Sequence, residues 1–295
     1  MPDSLSEADW ERLLGLIQEA RCTPFIGAGA SAGTLPLGSE IAEQWAKDHH
    51  YPLPDVTDLA RVAQFLAIAE DEMFPKDAIR RRFQDVPPPN FSAPDEPHGV
   101  LADLRLPIYI TTNYDNFMIE ALKDRKQAPE REFCRWNRFD EVTGAESIFA
   151  SGYQPTPANP LVYHLHGHTE LPQSMVLTEG DYLDFLIRLS RDQDLLPPAI
   201  RKALAGTSLL FVGYSLTDWN FRVVLRGLVG SLGASLGYPG IAVQLPPGDL
   251  SGEETEQAKG YLDKYFDQIG KIKVRVYWGE ARQFARELRE RWEAL

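Results

Sequence analysis

The chain has 295 residues, 43% of them hydrophobic and 25% charged, which is enough apolar material for one large core with a small lobe and argues against a disordered protein. Its 30 Lys and Arg stand against 43 Asp and Glu, and the resulting charge of −13 repels a phosphate backbone, so direct nucleic-acid binding is not expected. With only Cys22 and Cys134 present, neither a disulfide framework nor a four-cysteine zinc cage can be assembled.

The stretch from Leu5 to Ala20 reads as an amphipathic helix, with Ser6 and Asp9 in capping-box spacing. The opening MPDSLSEADW lacks the basic and apolar regions of a signal peptide, and no apolar run is long enough to span a bilayer. A cytoplasmic chain without membrane contact is the expectation. A first strand is predicted at Thr23 to Ile26. Helices are then predicted from Ser39 to Asp48, from Thr57 to Asp71 and from Phe74 to Phe83.

The segment Asp85 to Pro97, DVPPPNFSAPDEP, is too rich in proline for a helix or central strand and reads as a linker closing an inserted helical lobe. Five more strands are predicted, at Ile108 to Thr112, Leu161 to Leu165, Leu209 to Val212, Gly240 to Gln244 and Ile272 to Tyr277. The helices expected among and after them run from Asn116 to Arg125, Glu179 to Leu189, Pro198 to Ala205, Asp218 to Val229, Glu253 to Ile269 and Ala281 to Glu293. The region Ala128 to Pro160 is Gly/Pro-punctuated and aromatic and reads as a long irregular connection.

This alternation predicts an α/β fold: a doubly wound, Rossmann-like sheet of six parallel strands, in one domain spanning residues 1–295. The core is expected at residues 1–38 and 98–295, and the inserted lobe at about 39–97.

Four strands end in chemically loaded turns, and in an open parallel sheet the ligand crevice lies beyond the carboxyl ends of the strands. The first turn is GAGAS. Gly27 and Gly29 let the backbone approach an oxyanion while the following amides and Ser31 donate to phosphate, although glycines in such turns also serve purely steric needs. No third glycine completes a dinucleotide fingerprint, and no Gly-Lys-Ser/Thr follows to hold a terminal phosphate.

The second turn is TTNYD, from Thr111 to Asp115. Asn113 offers a donor and an acceptor at the end of a buried strand, suited to a sugar hydroxyl and a water together. Asp115 is either part of the same site or the cap of the next helix.

In the third turn, HLHGH, His164, His166 and His168 would share a face if the strand ran on, which raises a metal reading. Gly167 argues against it by ending the strand. His166 at the strand mouth reads as an acid/base, His164 as a core or supporting histidine, and the whole motif alternatively as satisfied histidines in a polar loop. The fourth turn, GYSLTD, supplies Gly213 for close backbone approach and Ser215 as a donor to ribose or phosphate, with Asp218 as a helix cap.

In this order, GAGAS, TTNYD, LHG and GYSLTD resemble the sirtuin-like superfamily, and more closely its bacterial branch found in antiphage defence proteins. The resemblance spans about Cys22 to Asn220. It implies NAD+ bound across the sheet as substrate, with no metal. Gly27, Ala28, Gly29 and Ser31 would surround the pyrophosphate, Thr112 and Asp115 would join Asn113 at the nicotinamide ribose, His166 would be the catalytic base, and Gly213 and Ser215 would lie by the adenosine half.

The protein-deacylating sirtuins differ by a four-cysteine zinc ribbon and by a Pro-Asp-Phe-Arg element after the first loop, where this chain reads TLPLGSEIAEQW. The defence branch lacks both features, and its members are NAD+ glycohydrolases. The resemblance therefore implies hydrolysis of NAD+ to nicotinamide and ADP-ribose, with Asn113 and His166 as the catalytic pair.

It also implies a gate, since a free, constantly active hydrolase would empty its own cell of cofactor. Similar proteins join HerA-type ATPases or short Argonautes, and no second domain is evident in this chain, so a partner polypeptide or homo-oligomerisation is the expected trigger. A non-catalytic module that holds NAD+ or ADP-ribose and reports it to a partner is the alternative.

Overall fold

The computed structural model describes residues 5–137, 144, 146–192, 194–214, 222, 227, 240–244, 252–268 and 274–295. Ser215 and nearly all of the helix expected from Asp218 to Val229 lie outside the described residues.

Helix α1 (Glu7–Gln18) leads into β1 (Cys22–Ile26), and α2 (Gly38–Asp48), α3 (Leu59–Ala69), α4 (Phe74–Phe83) and α5 (Pro97–Asp103) follow before β2 (Ile108–Thr111). After α6 (Phe117–Asp124) come β3 (Glu130–Phe133), β4 (Leu161–His164), α7 (Glu179–Arg191), α8 (Pro198–Gly206) and β5 (Ser208–Val212). The chain continues with β6 (Gly240–Gln244), α9 (Gly252–Gln268), β7 (Val274–Trp278) and α10 (Ala281–Glu293).

All strand pairs are parallel, in the order β3-β4-β2-β1-β5-β6-β7. The sheet therefore has seven strands, one more than the sequence predicts. The extra strand is β3, four residues reading Glu-Arg-Glu-Phe inside the stretch expected to be irregular. It pairs only with β4, at the edge of the sheet, so it carries no apolar run for a sequence reading to detect.

The strands bury alternate residues on opposite faces. Ile26, Tyr109, Val162, Leu210, Val212, Ile241 and Val243 meet Trp10, Leu13, Leu101, Phe117, Phe284 and Leu288 of α1, α5, α6 and α10. Their neighbours Phe25, Ile108, Ile110, Tyr163, Leu209, Phe211 and Ala242 meet Phe185, Leu189, Ile200, Leu204 and Leu262 of α7, α8 and α9. A period of two with both faces apolar requires helices on both sides, and that is the doubly wound arrangement.

Pro24 sits within the central strand β1, yet the ladder is intact. The Gly27 amide donates to Val212 while the Ile26 carbonyl accepts from Thr112, so Pro24 faces β2, where pairing starts only at Phe25.

Helices α2, α3 and α4 share a cluster of their own: Ile41, Trp45, Val62, Ala63, Leu66 and Ile79, closed by Met175 and Leu177 from the loop after β4. Two polar ties fix these helices to α7. Lys76 Nζ meets the Asp181 carboxylate at 2.9 Å with both side chains buried, and the Gly180 amide donates to Gln64 Oε1 at 2.8 Å. Asp181 is also held by the Leu177 and Thr178 amides, so the ion pair has the extra hydrogen bonds a buried charge needs.

The proline-rich segment ends in a helix that sequence reading misses. Its start has none of the usual Ser, Thr, Asp or Asn caps; Glu96 takes the N-cap position, accepting from the Gly99 amide, and Pro97 fills the first helical position.

Candidate active site

The chain winds to one side of β1 through β2 and returns to the other side at β5, so the topological switch point lies between the carboxyl ends of β1 and β5. The glycine turns meet there. The Gly29 amide donates to the Gly213 carbonyl at 2.8 Å, and Gly213 has a φ of +81°. A Cβ on Gly27 would lie 2.8 Å from the Gly213 oxygen, and one on Gly213 would lie 2.2 Å from the Ala30 nitrogen. The glycines thus serve first to let two backbones touch, and the Gly27 and Gly29 amides are already engaged. Ala28, at the start of a short 3-10 turn (Ala28–Ser31), is the exposed member of the motif.

Next to this junction stands Asn113, buried, with its amide on the Thr111 hydroxyl at 2.9 Å. Its Nδ2 donates to the Gly27 carbonyl at 3.1 Å and to Ser31 Oγ at 3.3 Å, and Ser31 Oγ donates to Asp115 Oδ2 at 3.2 Å. Both amide hydrogens of Asn113 are thereby used, and Oδ1 is the atom left to receive a proton from a hydroxyl or a water. Thr112 joins from the side: its hydroxyl meets Tyr214 Oη at 2.8 Å, and Tyr214 donates to the Ile26 carbonyl at 2.8 Å.

Asp115 holds the start of α6 and also joins the polar group around Asn113. Its Oδ1 accepts from the Phe117 amide at 2.9 Å, at the start of α6, while Oδ2 holds Ser31. Burial raises its pKa, opposed by the charge of His98, the Phe117 amide and Ser31.

His98 is itself buried and meets Glu96 Oε1 through Nδ1 at 2.8 Å. Burial acts to lower its pKa, but the Glu96 hydrogen bond and the charges of Glu96 and Asp115 outweigh it, and the net shift is upward. Neither Glu96 nor His98 carries a sequence signal; both sit in the junction between linker and helix that the pattern does not resolve.

The three histidines of HLHGH part company. His164 Nδ1 reaches the Asn113 carbonyl at 3.3 Å, which makes that nitrogen the protonated one. The His168 ring lies edge-on to His164 with centroids 4.9 Å apart, and its Nδ1 accepts from the Glu170 amide at 3.0 Å.

His166 instead packs edge-on against Tyr182 and Phe185, each at 5.3 Å, and its Nε2 is buried without a hydrogen-bond partner among the described residues. Burial lowers His166 and His168 to about 3, so both imidazoles are neutral near pH 7. The three rings do not converge, and among the described residues no group of three His, Cys, Asp or Glu side chains forms a metal site.

The turn that separates them is Gly167, with φ +80° and no room for a Cβ, which would lie 2.3 Å from the Ser174 oxygen. Beyond it Thr169 donates its amide and hydroxyl to the Tyr114 carbonyl at 3.1 and 3.0 Å, and Tyr114 Oη donates to Val176 at 2.6 Å. The β4 loop therefore clamps the TTNYD turn from behind. Within the described residues Asn113, Ser31, Asp115, Gly27, Gly29, Gly213 and Thr112 come together, and His166 has no hydrogen bond to that group.

A cleft of about 490 Å³ opens beside β3, lined by Phe133, Arg135, Phe149 and Arg188 among others, and none of the sequence-predicted residues lines it.

An open, fully parallel sheet with helices on both faces and polar turns gathered at its switch point defines the class: a doubly wound α/β protein with its candidate site at the carboxyl edge. Residues 107–267, more than half of the chain, match the model of the SIR2-like domain. The chain belongs to the SIR2-like family.

It is similar to the protein named NAD(+) hydrolase ThsA of Acinetobacter baumannii (strain 532279), at 24% identity over 225 residues, covering 73% of this chain and 40% of that protein. It is likewise similar to the NAD(+) hydrolase ThsA of Cytobacillus dafuensis, at 27% identity over 230 residues, covering 76% of this chain and 42% of that protein. The chain spans about two fifths of the length of these curated relatives. A solved structure described as concerning the mechanism and regulation of Sir2 enzymes aligns over 98% of both chains at 12% identity, with a TM-score of 0.42.

Proposed function

We propose that this chain hydrolyses the nicotinamide–ribose bond of NAD+, releasing nicotinamide and ADP-ribose, and acts as a gated effector of antiphage defence by depleting NAD+ in the cytoplasm. The observation that carries the reading is the Asn113 side chain. At the carboxyl edge, beside the glycine junction, it is held through Nδ2 by Gly27 and Ser31 with Asp115 behind, and it presents one oriented acceptor. The names of the relatives in the same family support NAD+ as the substrate.

Nicotinamide departs from a pyridinium as a neutral molecule, so the leaving group needs no proton. The enzyme has to stabilise an oxocarbenium-like sugar and place a water. Asn113 Oδ1 orients the ribose hydroxyl or that water. His166, neutral through burial, accepts a proton from the water or from a ribose hydroxyl as attack proceeds. Gly27, Ala28, Gly29, Gly213 and Ser215 line the dinucleotide's path, with Thr112 and Asp115 by the ribose.

The enclosure of Ser31, Asn113 and His166, which are 4%, 8% and 5% exposed, supports a gated site. The trigger is a second polypeptide, of the HerA-type ATPase or short Argonaute class, or self-association.

The test is nicotinamide release by the purified protein with NAD+, alone and with the partner encoded beside it. Asn113→Ala and His166→Ala should each lose about 10²–10⁴-fold in kcat. Wild-type turnover retained in either variant removes that residue from the mechanism. One observation favours a second reading, a sensor that binds NAD+ or ADP-ribose without turnover: a His166 pKa of about 3 makes a weak base. Saturable binding with no nicotinamide release under any partner condition would establish the sensor instead.

A further inference from the structure

Behind Asn113 lies a chain of buried polar groups that the reaction as written does not use. Glu96 and His98 are 2% and 1% exposed, and Glu96 binds the His98 ring through one oxygen and the Gly99 amide through the other. The His98 ring stands edge-on to Phe117, centroids 5.8 Å apart, and the Phe117 amide is the group that holds Asp115 Oδ1. Helix α5, which carries His98, packs on both α6 and the Ala28–Ser31 turn, the two elements that supply Phe117 and Ser31. His98 Nε2 is buried and has no hydrogen-bond partner among the described residues.

We infer that the Glu96–His98 pair is a positioning device for Asp115: the imidazole, when protonated against Glu96, favours Asp115 as a carboxylate, and so fixes the direction of every hydrogen bond from Asp115 through Ser31 to Asn113. With Asp115 ionised, the Ser31 proton must point to it, and the Ser31 lone pair then accepts Asn113 Nδ2. With Asp115 protonated, its own O–H competes for Ser31, the hydroxyl turns toward Asn113, and the amide is pressed to flip. Oδ1 would then face the Gly27 carbonyl, an acceptor against an acceptor. The charge state of one buried carboxylate thereby decides whether Asn113 offers Oδ1 or Nδ2 to the crevice.

The charged groups around the pair are few. Glu96 lies at the start of α5 itself; the turn before α6 contributes Asp115, which acts on Glu120, and α10 contributes Arg282 and Arg286, which pair with Asp95, Arg282 lying also in the field of Glu96. The Ala28–Ser31 turn brings only the uncharged Ser31. The upward shift of His98 acts in the sense this arrangement needs, and the burial that raises Asp115 is what the His98 charge opposes.

The inference rests on the NAD+ hydrolase reading for its catalytic consequence but not for its electrostatics, and two measurements keep them apart. The first is the pH profile of kcat for nicotinamide release in the wild type, Glu96→Gln and His98→Gln. Losing an opposite charge near a carboxylate raises its pKa by about one unit or more. Each variant should therefore move the acid limb to higher pH by about one unit, so that well below both midpoints its rate is roughly tenfold lower, and it should recover at high pH. In Asp115→Asn the limb should vanish, and Glu96→Gln added to it should shift nothing. A uniform loss at every pH, as a merely structural role gives, overturns the inference.

The second measurement follows the His98 imidazole by heteronuclear NMR in wild type and Asp115→Asn. Its titration midpoint should fall when the Asp115 charge is removed, and an unchanged midpoint overturns the inference whether or not the protein turns over NAD+. Coupled titration without any turnover would retain the positioning device and sink the hydrolase.

Discussion

Burial of His166 makes a quantitative prediction about stability that is independent of any ligand. In the unfolded chain an imidazole titrates near 6.5, while in the folded chain burial holds His166 at about 3. Between those values the unfolded state binds a proton that the folded state refuses, so stability falls as the pH is lowered through this window. At pH 5 the group lies about 1.5 units below its unfolded midpoint, and at about 1.36 kcal/mol per unit this amounts to about 2 kcal/mol relative to pH 8.

His166→Phe removes the titration and keeps a ring against Tyr182 and Phe185, whose edge-on contacts at 5.3 Å suit an aromatic neighbour. Urea unfolding followed by tryptophan fluorescence at pH 8, 7, 6 and 5 should give a stability curve flatter in the variant by about 2 kcal/mol across that range. Contributions from His98, Asp115 and the also depressed His168 cancel in the difference between the two proteins. Parallel curves would mean that His166 titrates in the folded chain as it does in the unfolded one and is not desolvated. A wild type that instead gains stability relative to the variant as the pH falls would mean a cationic imidazole, and that result would refute the neutral-acceptor role.

Two further substitutions probe the frame around the site. Lys76→Met leaves the Asp181 carboxylate buried without its cation and should destabilise by about 3–5 kcal/mol in thermal or urea unfolding. Adding Asp181→Asn should recover part of that loss, because the neutral amide can still accept from Leu177 and Thr178, and a Lys76→Met loss below about 1 kcal/mol would place the pair in water instead. Gly213→Ala and Gly33→Ala both put a side chain at a left-handed residue, φ +81° and +84°, but only the first drives its Cβ to within 2.2 Å of another backbone, while the second meets nothing within 4 Å. Gly33→Ala should therefore lose about 1–2 kcal/mol and Gly213→Ala distinctly more; equal losses would deny the contact between the two glycine turns.

The helices and strands were legible where local pattern decides them. Phe74–Phe83 and Ala281–Glu293 have the expected limits although neither has a side-chain N-cap, because an apolar stripe at helical spacing marks each of them. The strand β3 and the helix α5 were illegible for opposite reasons. Glu130–Phe133 is a strand only because β4 lies beside it, and Pro97–Asp103 is a helix whose start is written in a glutamate and a proline that also read as linker. The order of strands cannot be read locally at all, and with it went the knowledge of which turns touch.

That limit explains how the glycine turns were read. From the sequence, Gly27 and Gly29 stand equally for phosphate approach or for steric need, and the deciding fact is the partner, Gly213, nearly two hundred residues away. Asn113 stands out in the sequence as a polar residue directly after a buried strand. Its orientation, with both hydrogens directed inward, depends on Gly27 and Ser31 and is a tertiary property.

The histidine cluster carries the same lesson further. Alternation along a strand puts His164, His166 and His168 on one face only while the strand lasts, and β4 ends at His164 with a left-handed Gly167 two residues before the clamp on Tyr114. Once the chain turns, His164 supports the Asn113 backbone and His168 packs against His164. All three keep a buried Nε2 that no described residue satisfies, and His166 is the one packed edge-on against Tyr182 and Phe185. Burying such a group costs free energy unless a ligand or a water meets it, and the apolar rings around it supply neither. Asn113, by contrast, is fixed by β1 through Gly27, by its own strand through Thr111 and by β4 through His164, which leaves little freedom to the one acceptor it presents. A rigid acceptor and an unsatisfied imidazole, each just beyond the end of one of two adjacent parallel strands, are what the proposed reaction would require a bound sugar to bridge.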